Sequence, residues 1–318
     1  MKRVFYLLIA ILVASCNLPA SENTPVSLPT ITETLVLPTE TASPLPTAPE
    51  IVIPPTLTST PIPCDPLATD YCIGSGHFLF QRPIHLPDNE TIDLTYAYAS
   101  TSNGKRDPHH GVEYQNPFGT SVFAAGDGIV VFAGEDKTIK FSPWTNFYGN
   151  VIIIQHGSEM YTLYAHLSEI LVQAGVEVKA GAEIGKVGQT GGATGSHLHF
   201  EVRKGGDYTE YFSTENPELW TIPPRGTGAI SITLLTNETR NYELPIVVTR
   251  FAEGSDDILF TYYITTYTKG FEHNTEDASL SALPPGRYKV AFTGPTGLKE
   301  RTVFVEEGNL TEIVFDLR

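Results

Sequence analysis

Residues 188–203, G-Q-T-G-G-A-T-G-S-H-L-H-F-E-V-R, constrain this chain more than any other stretch. Four glycines between 188 and 195 form a flexible approach to 197–203, a run that reads as a strand. Side chains alternate faces along a strand, so His197, His199 and Glu201 share one face while Leu198 and Phe200 take the other. One apolar face and one histidine face fit a buried sheet. Two imidazoles side by side at the end of a loop also suit a metal, because neutral imidazole is the commonest protein ligand for zinc and its neighbours in the series. Two histidines alone do not complete a site.

The rest of 64–225 follows the same pattern. Strand-like runs at 128–133, 150–156, 161–166 and 183–187 are separated by glycine. Apart from short turns near 168–174, no segment keeps an apolar 3.6-residue period over ten residues. This region is therefore expected to be mainly β. A second source of ligands lies at 107–114, D-P-H-H-G-V-E-Y. His109 and Glu113 stand four apart, and Pro108, Gly111 and the P-F-G at 117–119 favour an extended segment over a helix. Even spacing keeps both on one face of that segment. With His199 they would offer N, O and N ligands at about 2.0–2.2 Å and leave a fourth position for water, the pattern of a catalytic zinc site. His110 is expected to point away from its neighbour ligand, to the surface or behind the site, while Glu201 either orients an imidazole from behind or sits past the groove.

Outside this region the chain reads as an exported protein. It has 36 acidic and 20 basic residues, a formal charge of −16 and a pI near 4.9, which argues against nucleic acid as a partner. Lys2 and Arg3 precede an apolar run at 4–14 that has the length of a signal-peptide core and is too short to span a bilayer. That run ends in L-V-A-S-C at 12–16, which resembles the lipobox of bacterial lipoproteins and implies cleavage before Cys16 and a lipid on its thiol. Residues 17–63 follow as a tether: 25 of the 47 are Pro, Thr or Ser, and none is Lys, Arg or Gly. Proline biases such a segment to extended polyproline II, with a maximum span on the order of 140 Å. Outside the cytosol, Cys64 and Cys72 are expected to form one disulfide, marking the start of folded sequence.

Three motifs in order now carry a family resemblance: H-x-G-x-E at 109–113, Y-A-H-L at 164–167 and G-x-x-x-G-x-H-L-H-F-E at 191–201. Together they resemble the lysostaphin/LytM-type zinc metallopeptidases, over roughly residues 95–205. The resemblance implies a compact antiparallel sheet with a groove, and hydrolysis of peptide bonds in bacterial peptidoglycan. Carried over by position, it implies that His109, Glu113 and His199 bind Zn2+, and that His166 and His197 are catalytic histidines outside the ligand set. The family usually has aspartate where this chain has Glu113; zinc accepts either carboxylate.

Residues 226–318 predict a second β domain, with alternating segments at 230–235, 244–250, 258–265, 287–292, 300–306 and 310–317. Within it L-P-P-G-R-Y-K-V-A-F at 283–292 resembles a turn and strand of prealbumin-like or carboxypeptidase-regulatory-like sandwiches. The expected organisation is thus a signal peptide at 1–16, a disordered tether at 17–63, a LytM-like metallopeptidase domain at 64–225 and a β-sandwich at 226–318. Two functions suit it. One is a lipid-anchored, extracytoplasmic zinc endopeptidase acting on peptidoglycan peptides; the alternative is a non-catalytic wall-binding regulator of another cell-wall hydrolase, with a protein partner.

Overall fold

The computed structural model describes residues 63–138, 140–157, 159–237 and 243–318. The expected signal peptide, Cys16 with its expected lipid, and all of the expected tether but Pro63 lie outside the described residues. Among these residues no helix is long and apolar enough to cross a membrane. Among the described residues the regular structure is almost all strand. In order come β1 (Cys72–Gly74), β2 (Val112–Gln115), β3 (Ser121–Phe123), β4 (Gly128–Glu135), β5 (Asn150–His156), β6 (Met160–Ala165), β7 (Glu169–Ile170), β8 (Glu177–Val178), β9 (Glu183–Lys186), β10 (His197–Lys204) and β11 (Thr214–Glu215). A single helical turn, α1 (Pro217–Trp220), follows, with Asn216 accepting from the Glu218 N–H at 2.9 Å and proline at its first position.

Two antiparallel sheets build the histidine-bearing half: β11-β10-β6-β5-β4-β8, with β2 also paired to β10, and a smaller β3-β9-β7. β10 is its centre. One edge pairs with β6 while the other is shared by β2 and β11, so every residue from His197 to Arg203 is buried. Leu198, Phe200 and Val202 join Val112, Ile152, Ile154 and Tyr164 in the apolar core. The opposite face therefore buries His197, His199, Glu201 and Arg203, and buried polar groups must find partners.

The second half is a β-sandwich of β12 (Gly228–Leu235), β13 (Pro245–Phe251), β14 (Ile258–Thr265), β15 (Ala278–Leu283), β16 (Gly286–Gly294), β17 (Gly297–Val305) and β18 (Leu310–Asp316). One sheet runs β1-β18-β12-β15, the other β14-β13-β16-β17. Alternating residues such as Ile230, Ile232, Ile246, Val248, Val290 and Ile313 fill the space between them. The β12–β18 pair is parallel and every other pair is antiparallel.

Strands at 150–156 and 258–265 match their expected limits, and the turns near 168–174 hold the two-residue strand β7. Five strands have no sequence-based counterpart: β1, β3, β8, β11 and β15. A-S-L-S-A-L, at β15, is small and weakly apolar, yet five of its six residues are buried by the sheet on one side and by the first half of the molecule on the other. Cys64 and Cys72 are disulfide-bonded with Cα atoms 5.8 Å apart. The loop they close leads into β1, which lies along β18, so residues 72–74 complete the sandwich sheet rather than the histidine-bearing one.

A seam joins the halves. Tyr267 and Phe271, between β14 and β15, pack edge-on against Tyr98 at 5.2 Å and enter the core of the first half. Asn216 donates to Tyr267 and Ser279, the Ser281 N–H donates to Glu218, and His273 donates to the Thr214 carbonyl.

Candidate metal centre

Strand pairing brings the first two ligand candidates together. His199 on β10 stands directly opposite Glu113 on β2, the closest relation two residues on neighbouring strands can have. His109 lies just before β2 and completes the group. Gly111 makes the approach possible: a Cβ there would sit 2.6 Å from the Phe200 carbonyl and 2.8 Å from the His199 ring. This is the physical content of the glycine in H-x-G-x-E. Glu113 Oε1 lies 2.9 Å from His109 Nε2 and 3.0 Å from His199 Nδ1, and those two nitrogens are 3.3 Å apart. All three side chains are buried.

The other two histidines arrive by different routes. His197 comes from β10, two residues before His199, and its Nε2 is 3.1 Å from Glu113 Oε2. His166 follows the end of β6 with a φ of +62°, a left-handed conformation that costs a non-glycine residue on the order of 1–3 kcal/mol. That turn swings its ring off the sheet to 4.9 Å from His197 and 5.6 Å from His199. The glycine-rich loop supports it, because Gly149 and Gly191 cross so closely that a Cβ on either would meet backbone at 2.4 Å.

Carbonyl and carboxylate oxygens only accept hydrogen bonds, and this fixes how the rings present themselves. His109 Nδ1 donates to the Tyr96 carbonyl at 2.9 Å, His166 Nδ1 to Thr190 at 2.8 Å and His197 Nδ1 to Gly195 at 2.9 Å. His199 is turned the other way, donating from Nε2 to Glu201 Oε1 at 3.0 Å. Each of these bonds turns the ring's other nitrogen towards the centre: Nε2 of His109, His166 and His197, and Nδ1 of His199. Behind His199, Glu201 also accepts from Tyr148 OH at 2.5 Å and from Arg203 Nε at 2.7 Å. Arg203, fully buried, donates further to the Phe141 and Tyr208 carbonyls and to Tyr148 OH.

Electrostatics follow from this layout. Burial pushes the Glu113 carboxyl up, but the His199 charge and hydrogen bonds from His109 and His199 outweigh it and hold it well below the usual range. Burial likewise opposes the charge on His199, yet Glu113 and Glu201 raise it to about 9. Burial, then the charge of His199, lowers His166 to about 3, with Glu113 pulling the other way.

The donors fit a metal ion. Ligand atoms around a tetrahedral zinc with bonds of about 2.0–2.2 Å lie roughly 3.3–3.6 Å apart, and the observed triangle is that shape slightly contracted. Glu113 Oε2 is buried with no directed donor, and the two facing imidazole nitrogens repel unless a cation or proton lies between them. His109, Glu113 and His199 form the one group of this kind among the described residues. Glutamate in place of aspartate is accommodated: its longer chain sets Oε1 between the two imidazoles. The centre opens on a cavity of about 420 Å³ that Tyr96, Phe147 and the loop at 192–195 wall.

Residues 107–211 match the model of peptidase family M23. They form an M23 peptidase domain. The peptidoglycan DD-endopeptidase ShyA of Vibrio cholerae is 36% identical over 118 residues, which are 37% of this chain and 25% of that protein. DD-carboxypeptidase/endopeptidase Mpg of Neisseria meningitidis is 43% identical over 98 residues, 31% of this chain and 20% of its own length. A lipoprotein of Escherichia coli, YgeR, is 34% identical over 129 residues, 41% of this chain and 43% of that one. The chain therefore spans less than half the length of each of these relatives.

All five expected site residues of the M23 domain converge, and Glu201 lies behind His199 as the alternation predicts. His110 is buried rather than superficial: its ring packs at 3.9 Å on Tyr211 and 4.9 Å from Phe271, and Nδ1 is 3.1 Å from Thr214 Oγ1. Arg203, Tyr148 and Tyr96 were not foreseen. Arg203 continues the parity of 197, 199 and 201, so alternation alone could have found it. Tyr96, stacked on His109 at 3.9 Å, ends a three-residue 3-10 turn (Leu94–Tyr96) too short to leave a periodic signal.

Proposed function

We propose that the chain is a zinc-dependent endopeptidase that hydrolyses peptide bonds in the stem peptides or cross-bridges of peptidoglycan. The observation that carries this reading is the convergence of four imidazoles and one carboxylate at the base of an open groove, three of them spaced to hold a metal. Relatives of the M23 domain named as peptidoglycan endopeptidases support the substrate class. In this reading residues 1–16 are a signal peptide, a lipid on Cys16 holds the protein at the outer face of a membrane, and 17–63 let 64–225 reach the wall. The sandwich at 226–318 buttresses that domain. One relative named as a lipoprotein accords with the anchor.

His109, Glu113 and His199 would hold the ion through Nε2, Oε1 and Nδ1. Zinc, when bound, acidifies a water molecule and polarises the scissile carbonyl as a Lewis acid. The protein's own groups do the rest. Glu201 fixes the His199 ring through its Nε2–H, so Nδ1 stays aimed at the centre. His166 and His197, locked by Thr190 and Gly195, turn their Nε2 atoms inward, placed to exchange a proton between water and the leaving amine. His166 is neutral at physiological pH because burial has pushed it to about 3.

Incubating the zinc-loaded chain with purified peptidoglycan and identifying released fragments by mass spectrometry tests the reading. New free amines, absent with His199→Ala, are expected and would identify the bond. Bound zinc with no release from several wall types would overturn catalysis and leave wall binding.

A further inference from the structure

The groove holds a cation that the chemistry above does not use. Arg106 borders both the 420 Å³ cavity over the metal centre and a neighbouring cavity of about 300 Å³ on the other side of His109. Its guanidinium lies 3.9 Å above the Tyr96 ring, and Tyr96 in turn stacks 3.9 Å from His109 with the planes 14° apart. The charge is thus held two stacking distances from a ligand of the metal centre.

Its hydrogen bonding is incomplete. Nη2 donates to Ser100 Oγ at 2.6 Å, while Nε is buried and lacks an acceptor. No carboxylate among the described residues pairs with it, although acidic residues outnumber basic ones 36 to 20 and Asp107 is next in the chain. Histidines aside, Arg106 is the one cationic side chain lining either cavity. A planar guanidinium with open donors, pre-oriented by stacking on a ring, matches a carboxylate in geometry as well as charge.

We infer that Arg106 is a specificity residue: it receives a free carboxylate of the peptide substrate, one or two residues from the scissile bond. The distance follows from the double stack, since an extended peptide advances about 3.3–3.6 Å per residue. Chemically the ligand is a peptide with a free α- or side-chain carboxylate. Amidation of that group removes its charge and one acceptor, leaving the guanidinium facing a poor partner. The inference rests on the endopeptidase reading for its substrate class, but not for its binding chemistry.

The test uses the full chain and two synthetic cross-linked peptides, alike except that the carboxylate beside the scissile bond is free in one and amidated in the other. With zinc bound, wild type should favour the free acid in kcat/KM by about 10- to 100-fold, as charged hydrogen bonds allow. Arg106→Gln should abolish the preference by losing rate on the acid and keeping its rate on the amide within about twofold. A purely structural arginine would lower both rates equally, and that result overturns the inference, as does a preference that survives the substitution. If wild type cuts neither peptide, the endopeptidase reading fails, and calorimetric binding of the same pair decides: tighter binding of the acid, lost in Arg106→Gln, upholds the carboxylate site, and equal binding overturns it.

Discussion

The four buried glutamates among the described residues fall into two pairs that behave oppositely. Glu113 and Glu201 sit at the metal centre; Glu218 and Glu276 sit at the seam between the halves. Burial pushes all four towards the protonated form. At the centre cations reverse the outcome. Arg203, then His199, brings Glu201 down to about 2, and the neighbouring histidines hold Glu113 low. At the seam the donors are mostly neutral: the Ser281 N–H at 2.8 Å for Glu218, and Tyr267 OH at 2.8 Å with Thr275 Oγ1 at 3.1 Å for Glu276. These do not offset desolvation, and both carboxyls stay above their ordinary range. Burial alone thus does not make a carboxylate functional. The centre keeps negative charge where a cation is to be held, whereas the seam uses the same side chain as glue.

Removing the cation that separates the two cases should give the largest effect. Arg203→Met takes from Glu201 its strongest cationic partner in the core, which costs about 3–5 kcal/mol, and each kcal/mol lowers the melting temperature of a unit this size by roughly 2–4 °C. Pairing it with Glu201→Gln should recover part of the loss in denaturant unfolding. Full additivity of the two would mean that Glu201 does not depend on Arg203, and the contrast would collapse. Zinc comes next. At a hundred times its dissociation constant it should stabilise the chain by about 2.7 kcal/mol, read as a rise in melting temperature that a chelator reverses. His199→Ala should show no such rise, and an equal rise would place the ion elsewhere.

Much of the centre was legible in the sequence because strand alternation is a strong geometric rule. His197, His199 and Glu201 were assigned one face from parity, and the fully buried β10 realises it on both sides. His109 and Glu113 needed only an even spacing in an extended segment. The M23 motifs added His166, whose place beyond the end of β6 and positive φ no periodicity encodes. The seam was the opposite. Tyr98, Asn216 and the pair Tyr267 and Phe271 come from three loops or caps far apart in the chain, and each reads locally as an ordinary turn residue. The burial of His110 was hidden for the same reason, since the rings that cover it, Tyr211 and Phe271, lie some 100 and 160 positions away by sequence. Short strands of small residues such as β15 stayed hidden because their burial comes from neighbours and not from their own hydrophobicity.

The smallest effect tests the seam directly. A carboxyl whose folded pKa lies above its unfolded value contributes stability that is fully present below that unfolded value, near 4.3, and is lost as pH rises through the folded pKa. Glu218 is such a group, raised by burial against the hydrogen bond from Ser281 and the more distant charge of Arg82. At pH 4 the wild-type seam should hold the neutral acid, while at pH 8 it bears the cost of a buried anion. Glu218→Gln keeps an oxygen to accept from the Ser281 N–H and cannot ionise. Relative to wild type its melting temperature should therefore be higher at pH 8 than at pH 4, although other groups shift both curves together. A difference that stays constant across this range would mean that Glu218 does not change its charge there. Arg82, whose Nη2 is buried without a partner, would then be serving Glu218 as Arg203 serves Glu201. The two pairs of carboxylates would obey one rule, and the seam would belong with the metal centre among the charge-paired parts of the molecule.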